Sequence, residues 1–202
     1  MGLTAIGIIY SPWGQRSGAH MNPALTLTFL RLGKIKRHDA AFYISAQIVG
    51  GMGGILVAST LLNPIVAHNS VNFVVTIPGH AGALAAFIFE AVLAFIMMTM
   101  VLNATNTPRL ARFTGVFAGI LVFLFIAFES PISGMSINPA RTLGSAIPSG
   151  IWTGLWIYLT APLLGMLSAA QLYVFLKQRP TACPKYFHGD RQRCIFCGHL
   201  GS

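Results

Sequence analysis

The chain contains four long apolar stretches that are almost free of charged side chains. They cover residues 40–62, 82–102, 113–128 and 151–176, and the one charged residue inside them is Glu90. At ~1.5 Å rise per residue, helices of these lengths span or nearly span a hydrocarbon core of ~30 Å. Their residues are apolar on all sides and rich in Gly and Ala, which favours packed transmembrane helices over strands that alternate apolar and polar positions. We therefore predict at least four transmembrane helices.

A shorter apolar run covers residues 1–10. It is too short to span a bilayer, and it lacks the basic flank and the small-residue cleavage site of a signal peptide. We interpret it as the last part of a helix. The composition agrees with a membrane protein, since 54% of the 202 residues are hydrophobic, 8% are charged and the mean hydropathy is +0.69. These values exclude a disordered chain and do not fit a soluble globule.

The basic residues indicate how the chain is oriented in the membrane. Thirteen Lys and Arg against four Asp and Glu give a net charge of +9. Twelve of the thirteen fall on alternate connections, and therefore on one side: Arg16, Arg31, Lys34, Lys36, Arg37, Arg109, Arg112, Lys177, Arg179, Lys185, Arg191 and Arg193. By the positive-inside bias this side, including the tail, is cytoplasmic. The surplus charge is then a topology signal, and nucleic-acid binding is not expected.

One segment of the chain occurs twice. The sequence SGAHMNPALTL at residues 17–27 returns as SGMSINPARTL at residues 133–143, with seven of eleven positions identical at an offset of 116. Weaker matches at an offset of 115 pair Tyr43, Ala46 and Gly50 with Tyr158, Ala161 and Gly165. Cytoplasmic charges border the first copy, whereas extracytoplasmic loops border the second. The two copies are therefore predicted to enter the membrane from opposite faces, as an inverted repeat.

Each copy contains the start of a helix. Asn22 and Asn138 suit the N-cap, Pro23 and Pro139 suit the first turn, and the apolar run that follows is about half a span long. We expect two half-helices. Non-helical backbone at membrane depth persists only where it is buried in protein or lines a wet cavity, so the approach to each Asn is expected to line a passage.

The two Asn-Pro-Ala triplets, with Arg141 directly after the second, resemble the major intrinsic protein family, the aquaporins and glycerol facilitators. The likeness covers residues 1–176, and we treat residues 177–202 as a separate cytoplasmic tail. The resemblance implies an all-α, multi-pass transmembrane bundle with two membrane-inserted half-helices, in which this chain lacks the family's first helix and much of the second. It also implies a homotetramer in the plasma or inner membrane, with one passive pore per protomer and no cofactor.

The resemblance assigns roles to individual residues. The pore constriction is expected at the triplets Asn22, Pro23, Ala24 and Asn138, Pro139, Ala140. The selectivity filter is expected at Arg141, Met135, Ile126 and a fourth position that falls on Met1 or Gly2. Glu90 is expected to brace a half-helix loop by accepting backbone hydrogen bonds, with a proton relay as the alternative. His20 is expected to line or support the cytoplasmic vestibule, and Glu129 to be a solvated residue at the outer mouth.

We expect water and small neutral solutes to permeate the channel, and protons and ions to be excluded. Ile126 and Met135 form a less hydrophilic filter than that of strict water channels. Thr142 and Ala146 occupy positions where glycerol channels usually carry Asp and Lys, which favours water over glycerol. The alternatives are a glycerol or small-polyol facilitator, an ion-coupled secondary transporter and an inactive truncated fragment. An enzyme is not expected, because no convergent acid/base or nucleophile constellation is found.

The tail concentrates all three cysteines of the chain, Cys183, Cys194 and Cys197. Together with His199 they could supply four tetrahedral zinc ligands. We expect reduced, unliganded thiols in a flexible cytoplasmic segment and no bound metal, with the zinc site as the alternative.

Overall fold

The structure is a computed structural model, and it describes residues 1–187 and 194–197. Throughout this part of the chain the regular secondary structure is helical, as predicted. The α-helices are α1 (Gly2–Tyr10), α2 (Pro12–Ser17), α3 (Pro23–Arg31), α4 (Arg37–Leu62), α5 (Gly82–Thr105), α6 (Pro108–Ala111), α7 (Thr114–Phe128), α8 (Ser130–Ser133), α9 (Pro139–Ser149) and α10 (Leu155–Lys177). A short 3₁₀-helix covers Asn72–Val74.

Three of these helices, α4, α5 and α10, are long and apolar enough to cross a membrane. The fourth predicted span, α7, is apolar but has 15 residues. At ~1.5 Å per residue α7 reaches ~22 Å, less than the ~30 Å of a hydrocarbon core. It is short because the chain turns at Glu129 into α8 instead of continuing as one helix.

The two half-helices are α3 and α9, and the backbone that leads into each has the same shape. Gly18 and Gly134 have φ values of 79° and 82°, and Ala19 and Met135 after them have φ values of 56° and 43°. Left-handed φ suits Gly but strains a residue with a side chain, so the surrounding contacts must hold the second position of each pair.

A pair of tyrosines supplies one such contact in each half. The Tyr43 hydroxyl donates to the carbonyl oxygen of Ser17 at 2.7 Å, and the Tyr158 hydroxyl donates to that of Ser133 at 2.6 Å. These residues are equivalent in the repeat, so the weak match between the two following helices in the sequence is confirmed as a shared interaction. Each long helix anchors the loop that leads into its neighbouring half-helix.

Glycines permit three close approaches between helices. On α4, Gly51 lies against the Ala140 carbonyl and Gly144 of α9; on α10, Gly165 lies against the Ala91 carbonyl of α5. Gly115 and Gly119 of α7 lie against α1. In contrast, a Cβ atom at Gly50, Gly53 or Gly54 would meet no atom of the described structure within 4 Å. Among the α4 residues only Ala40 is buried, so α4 is the most exposed of the three long helices.

Candidate functional site

The N-termini of the two half-helices meet through the side chains of Asn22 and Asn138. The Nδ2 atom of Asn22 donates to the carbonyl oxygen of Ile137 at 2.7 Å. The Nδ2 atom of Asn138 donates to the carbonyl oxygen of Met21 at 2.8 Å. Each asparagine thus binds the residue that precedes the other one, and the bonds are related by the offset of the repeat.

The other end of each carboxamide caps its own helix. Asn22 Oδ1 accepts from the Ala24 amide at 2.9 Å, and Asn138 Oδ1 accepts from the Ala140 and Arg141 amides at 3.1 and 3.4 Å. A proline occupies the first turn of each half-helix, where its missing N–H costs nothing. Each carboxamide is therefore held by its oxygen and its nitrogen at once, and its orientation is fixed.

Burial differs between the members of each triplet. Pro23, Ala24, Pro139 and Ala140 are buried, whereas both asparagines are only half-buried. The Pro and Ala residues are packed inside the bundle, and the two asparagines keep part of their surface exposed.

The electric field at this point is positive. Each helix N-terminus carries the equivalent of about half a positive charge, and two such ends meet here. The first turns of α3 and α9 contain no acidic residue that would offset the field.

Arg141 lies in the first turn of α9 and adds a full positive charge to that field. The residue is half-buried, and its Nη1 atom is buried without a hydrogen-bond partner in the part of the chain that the structure describes. A guanidinium is a rigid set of N–H donors, and within the described residues one of these donor atoms has no protein acceptor.

Glu90 of α5 holds the loop that precedes α9. Its Oε1 atom accepts from the Ser133 hydroxyl at 2.9 Å and from the Ser136 amide at 2.6 Å, and its Oε2 atom accepts from the Ile137 amide at 2.6 Å. The bracing hydrogen bonds expected for Glu90 are present. They fix the strained backbone at Ile137, whose φ is 45° and whose carbonyl receives the Asn22 amide.

The remaining filter positions lie in different surroundings. Met135 is buried in the main hydrophobic core, and Ile126 is half-buried against the same cluster. Gly2 lies against α7, where a Cβ atom on Gly2 would collide with the carbonyl oxygen of Gly119. Gly2 is thus a helix-packing position, and its role in the filter stays a prediction, as do those of Met135 and Ile126.

The sequence did not predict the surroundings of Glu129 correctly. It was expected to be solvated, but it is 6% exposed, and both of its carboxylate oxygens are buried. The chain turns directly into α8 after Glu129, so the residue lies inside this turn and not at an open mouth.

His20 lies two residues before Asn22 and is buried. Its Nδ1 atom is 3.3 Å from Thr26 Oγ1, and its backbone carbonyl accepts from Gln47 Nε2 at 2.7 Å. Its Nε2 atom is hydrogen-bonded to the carbonyl oxygen of Pro184 in the tail. A carbonyl oxygen only accepts, so Nε2 carries the hydrogen.

The described part of the tail is docked on the bundle. The amides of Thr181 and Ala182 donate to Asn106 Oδ1 at 3.0 and 2.9 Å, and the Lys185 ammonium donates to the carbonyl of Gln15 at 2.7 Å. This packing could not be predicted from the polar sequence of the tail.

The three cysteines are also brought together. The Sγ atoms of Cys183, Cys194 and Cys197 all lie within 4.8 Å of one another. His199, the fourth ligand suggested by the sequence, lies outside the described residues.

The fold and the site together define an integral membrane protein of the helical-bundle class, built around two inverted half-helices. A family model for the major intrinsic protein family matches residues 2–173, and the chain belongs to that family.

The chain is 36% identical to Aquaporin NIP2-2 of Zea mays over 195 residues, which cover 95% of this chain and 62% of that protein. It is 33% identical to Nodulin-26 of Glycine max over 173 residues, which cover 85% of this chain and 62% of that protein. The chain thus spans about three fifths of the length of these curated relatives. The X-ray structure of the aquaglyceroporin from Plasmodium falciparum has the same fold, with a TM-score of 0.70 at 21% identity over 85% of this chain and 78% of that one.

Proposed function

We propose that the protein is a passive channel for water and small uncharged solutes, which excludes protons and ions. The observation that carries the proposal is the reciprocal pairing of Asn22 and Asn138 at the meeting point of two half-helix N-termini. A carboxamide nitrogen has two hydrogens. One hydrogen of each Asn binds the opposite half, and the other can bind a molecule that passes.

Two adjacent donors impose an orientation on water. A water molecule that accepts hydrogen bonds from both asparagines points its own hydrogens away from them. Proton hopping needs a continuous chain of waters in one orientation, and this reversal interrupts the chain. Cations are repelled by the two helix N-termini and find no replacement there for their hydration shell.

Arg141 supports a second barrier nearby. Its guanidinium supplies fixed N–H donors for the oxygen of water or of a hydroxylated solute, and its charge repels cations. We assign Met135 and Ile126 to the apolar side of the same filter. Glycerol channels usually carry Asp and Lys at the positions of Thr142 and Ala146. These two residues therefore favour water over glycerol as the main permeating molecule.

The assembly and location follow from the family. We propose a homotetramer in the plasma or inner membrane, with a pore in each protomer and the tail on the cytoplasmic side. The basic residues that flank α4, α6 and α10 support this orientation by the positive-inside bias.

Osmotic shrinkage of proteoliposomes tests the proposal. The purified protein should increase water permeability over that of protein-free liposomes, with a low activation energy and without saturation. Permeability should not change when a proton or sodium gradient is imposed. Saturable uptake that follows an ion gradient would instead favour a secondary transporter, and permeability equal to that of empty liposomes would contradict a channel.

A further inference from the structure

The tail carries a cluster of thiols that the channel function does not use. Cys183 follows α10, while Cys194 and Cys197 lie in a Cys-x-x-Cys turn eleven residues further on. The Sγ atoms of Cys183 and Cys194 are 3.3 Å apart, and all three Sγ atoms lie within 4.8 Å of one another.

These separations match those around a metal ion. Zinc binds thiolates at ~2.3 Å, and tetrahedral geometry then separates two sulfurs by ~3.8 Å. A disulfide would require an S–S distance of ~2.05 Å. The Cys183–Cys194 separation of 3.3 Å is about 0.5 Å below the zinc value of ~3.8 Å, and no sulfur pair is more than 4.8 Å apart. A small movement of the side chains would bring all three sulfurs onto one ion.

We propose that Cys183, Cys194 and Cys197 bind a thiophilic metal ion, with Zn²⁺ as the ion of choice. Three thiolates satisfy three of the four tetrahedral positions and leave one for a further ligand. The backbone N–H groups of Phe196 and Cys197 hydrogen-bond to Cys194 and help to orient its sulfur.

The charge of the tail also favours the site. Residues 177–202 contain five Lys and Arg residues and one Asp. Three thiolates and one Zn²⁺ leave a net charge of −1, which a basic segment compensates. Lys185, two residues from Cys183, is buried in the docked tail.

The ligands lie beside residues that pack on His20, two residues before Asn22. Pro184, next to Cys183, accepts a hydrogen bond from His20. Phe196, within the Cys-x-x-Cys turn, packs on the His20 and Tyr43 rings with centroid distances of 5.9 and 6.0 Å. A metal ion would join these two tail segments and fasten them over His20 as a cap.

The metal site itself does not depend on the chain being a channel. A second consequence does rest on the proposed function: the metal-bound cap should reduce permeation, because it lies on His20, which we expect to line or support the cytoplasmic vestibule.

The site can be tested on the whole protein, purified in detergent under reducing conditions. We expect one Zn²⁺ per chain by elemental analysis, and thiolate-to-metal charge-transfer bands when Co²⁺ replaces it. Zn²⁺ should also slow tryptic cleavage of the tail. Cys194→Ser and Cys197→Ser should lose the metal and this protection. Cys197→His should retain the metal, because imidazole also ligates zinc.

Ile195→Ser is the matched control, since this exposed side chain lies in the same turn and is not a ligand. It should bind Zn²⁺ like the wild type. Absence of stoichiometric metal, equal binding by Cys194→Ser, or a Cys183–Cys194 disulfide in place of bound metal would overturn the site.

Water permeability with added Zn²⁺ and with chelator then tests the cap. We expect chelation to raise the permeability of the wild type and of Ile195→Ser, but not that of Cys194→Ser. Stoichiometric metal with unchanged permeability would overturn the cap while leaving the site. If no form conducts water, the proposed function fails, yet the metal content and the protease protection still decide on the site.

Discussion

Asn22 and Asn138, 116 positions apart in the sequence, each donate a hydrogen bond to the carbonyl oxygen of the residue that precedes the other. Each of these side chains also caps its own half-helix. The pair therefore couples the two halves of the repeat at one point. Neither half-helix can change its position without breaking a hydrogen bond of the other.

Asn138→Ala is expected to destabilise the protein through two separate losses. Removal of the helix cap costs ~1 kcal/mol. The Met21 carbonyl also loses its donor, and a hydrogen bond contributes about 0.5–1.5 kcal/mol. Unfolding by a denaturing detergent, followed by circular dichroism, measures the sum.

A double-mutant cycle tests the coupling itself. Asn22→Ala and Asn138→Ala are in one network, so their combined effect should differ from the sum of the single effects by about 0.5–3 kcal/mol. Ser11→Ala removes the cap of α2, and the Ser11 hydroxyl bonds only to Ile8 and Gly14, each three residues away. Combined with Asn138→Ala it should be additive. Additivity of the Asn pair as well would contradict the coupling.

Arg141→Val is expected to widen the proposed filter and remove its charge. Leak of small solutes or ions should rise at least about tenfold, which corresponds to a loss of ~1.4 kcal/mol in discrimination. Solute and proton fluxes into proteoliposomes measure the change. Arg109→Val removes a charge from the exposed helix α6 and should leave the fluxes as they are. Unchanged selectivity in Arg141→Val would count against the filter role.

Glu90→Gln is expected to disturb the loop before α9. An amide has one acceptor oxygen, so its NH₂ group would face a backbone N–H of Ser136 or Ile137. The unsatisfied group should lower the free energy of unfolding by about 1–3 kcal/mol. Asp39→Asn, on the exposed first turn of α4, should change it by less than about 0.5 kcal/mol. Normal stability of Glu90→Gln combined with loss of a proton-coupled flux would instead favour the relay.

The sequence predicts those features that depend on local chemistry. An Asn followed by Pro is enough to specify a capped helix start, so the first residues of α3 and α9 could be predicted from the sequence. The repeat extends this to paired contacts, because equivalent residues such as Tyr43 and Tyr158 make equivalent hydrogen bonds. The roles of α3 and α9 in conduction rest on the resemblance to the family.

Features that depend on distant contacts could not be predicted. The bond between His20 and Pro184 joins residues 164 positions apart, and no pattern in the polar tail indicates it. The burial of Glu129 depends on where the chain turns into α8. The helix contact of Gly2 depends on how closely α1 approaches α7, which a glycine permits but does not specify.

Gly50 and Gly165 are equivalent in the repeat, yet substitution by Ala should affect them in opposite directions. A Cβ atom at Gly165 would collide with the Ala91 carbonyl of α5, so Gly165→Ala forces α5 and α10 apart and should cost about 1–3 kcal/mol. A Cβ atom at Gly50 meets nothing in the described structure within 4 Å. Gly50→Ala should therefore leave stability unchanged or raise it by up to about 1 kcal/mol, through its better helix propensity. Detergent unfolding of both variants measures the difference. An equal loss in Gly50→Ala would mean that another surface packs on α4 at this position, as α5 packs on α10.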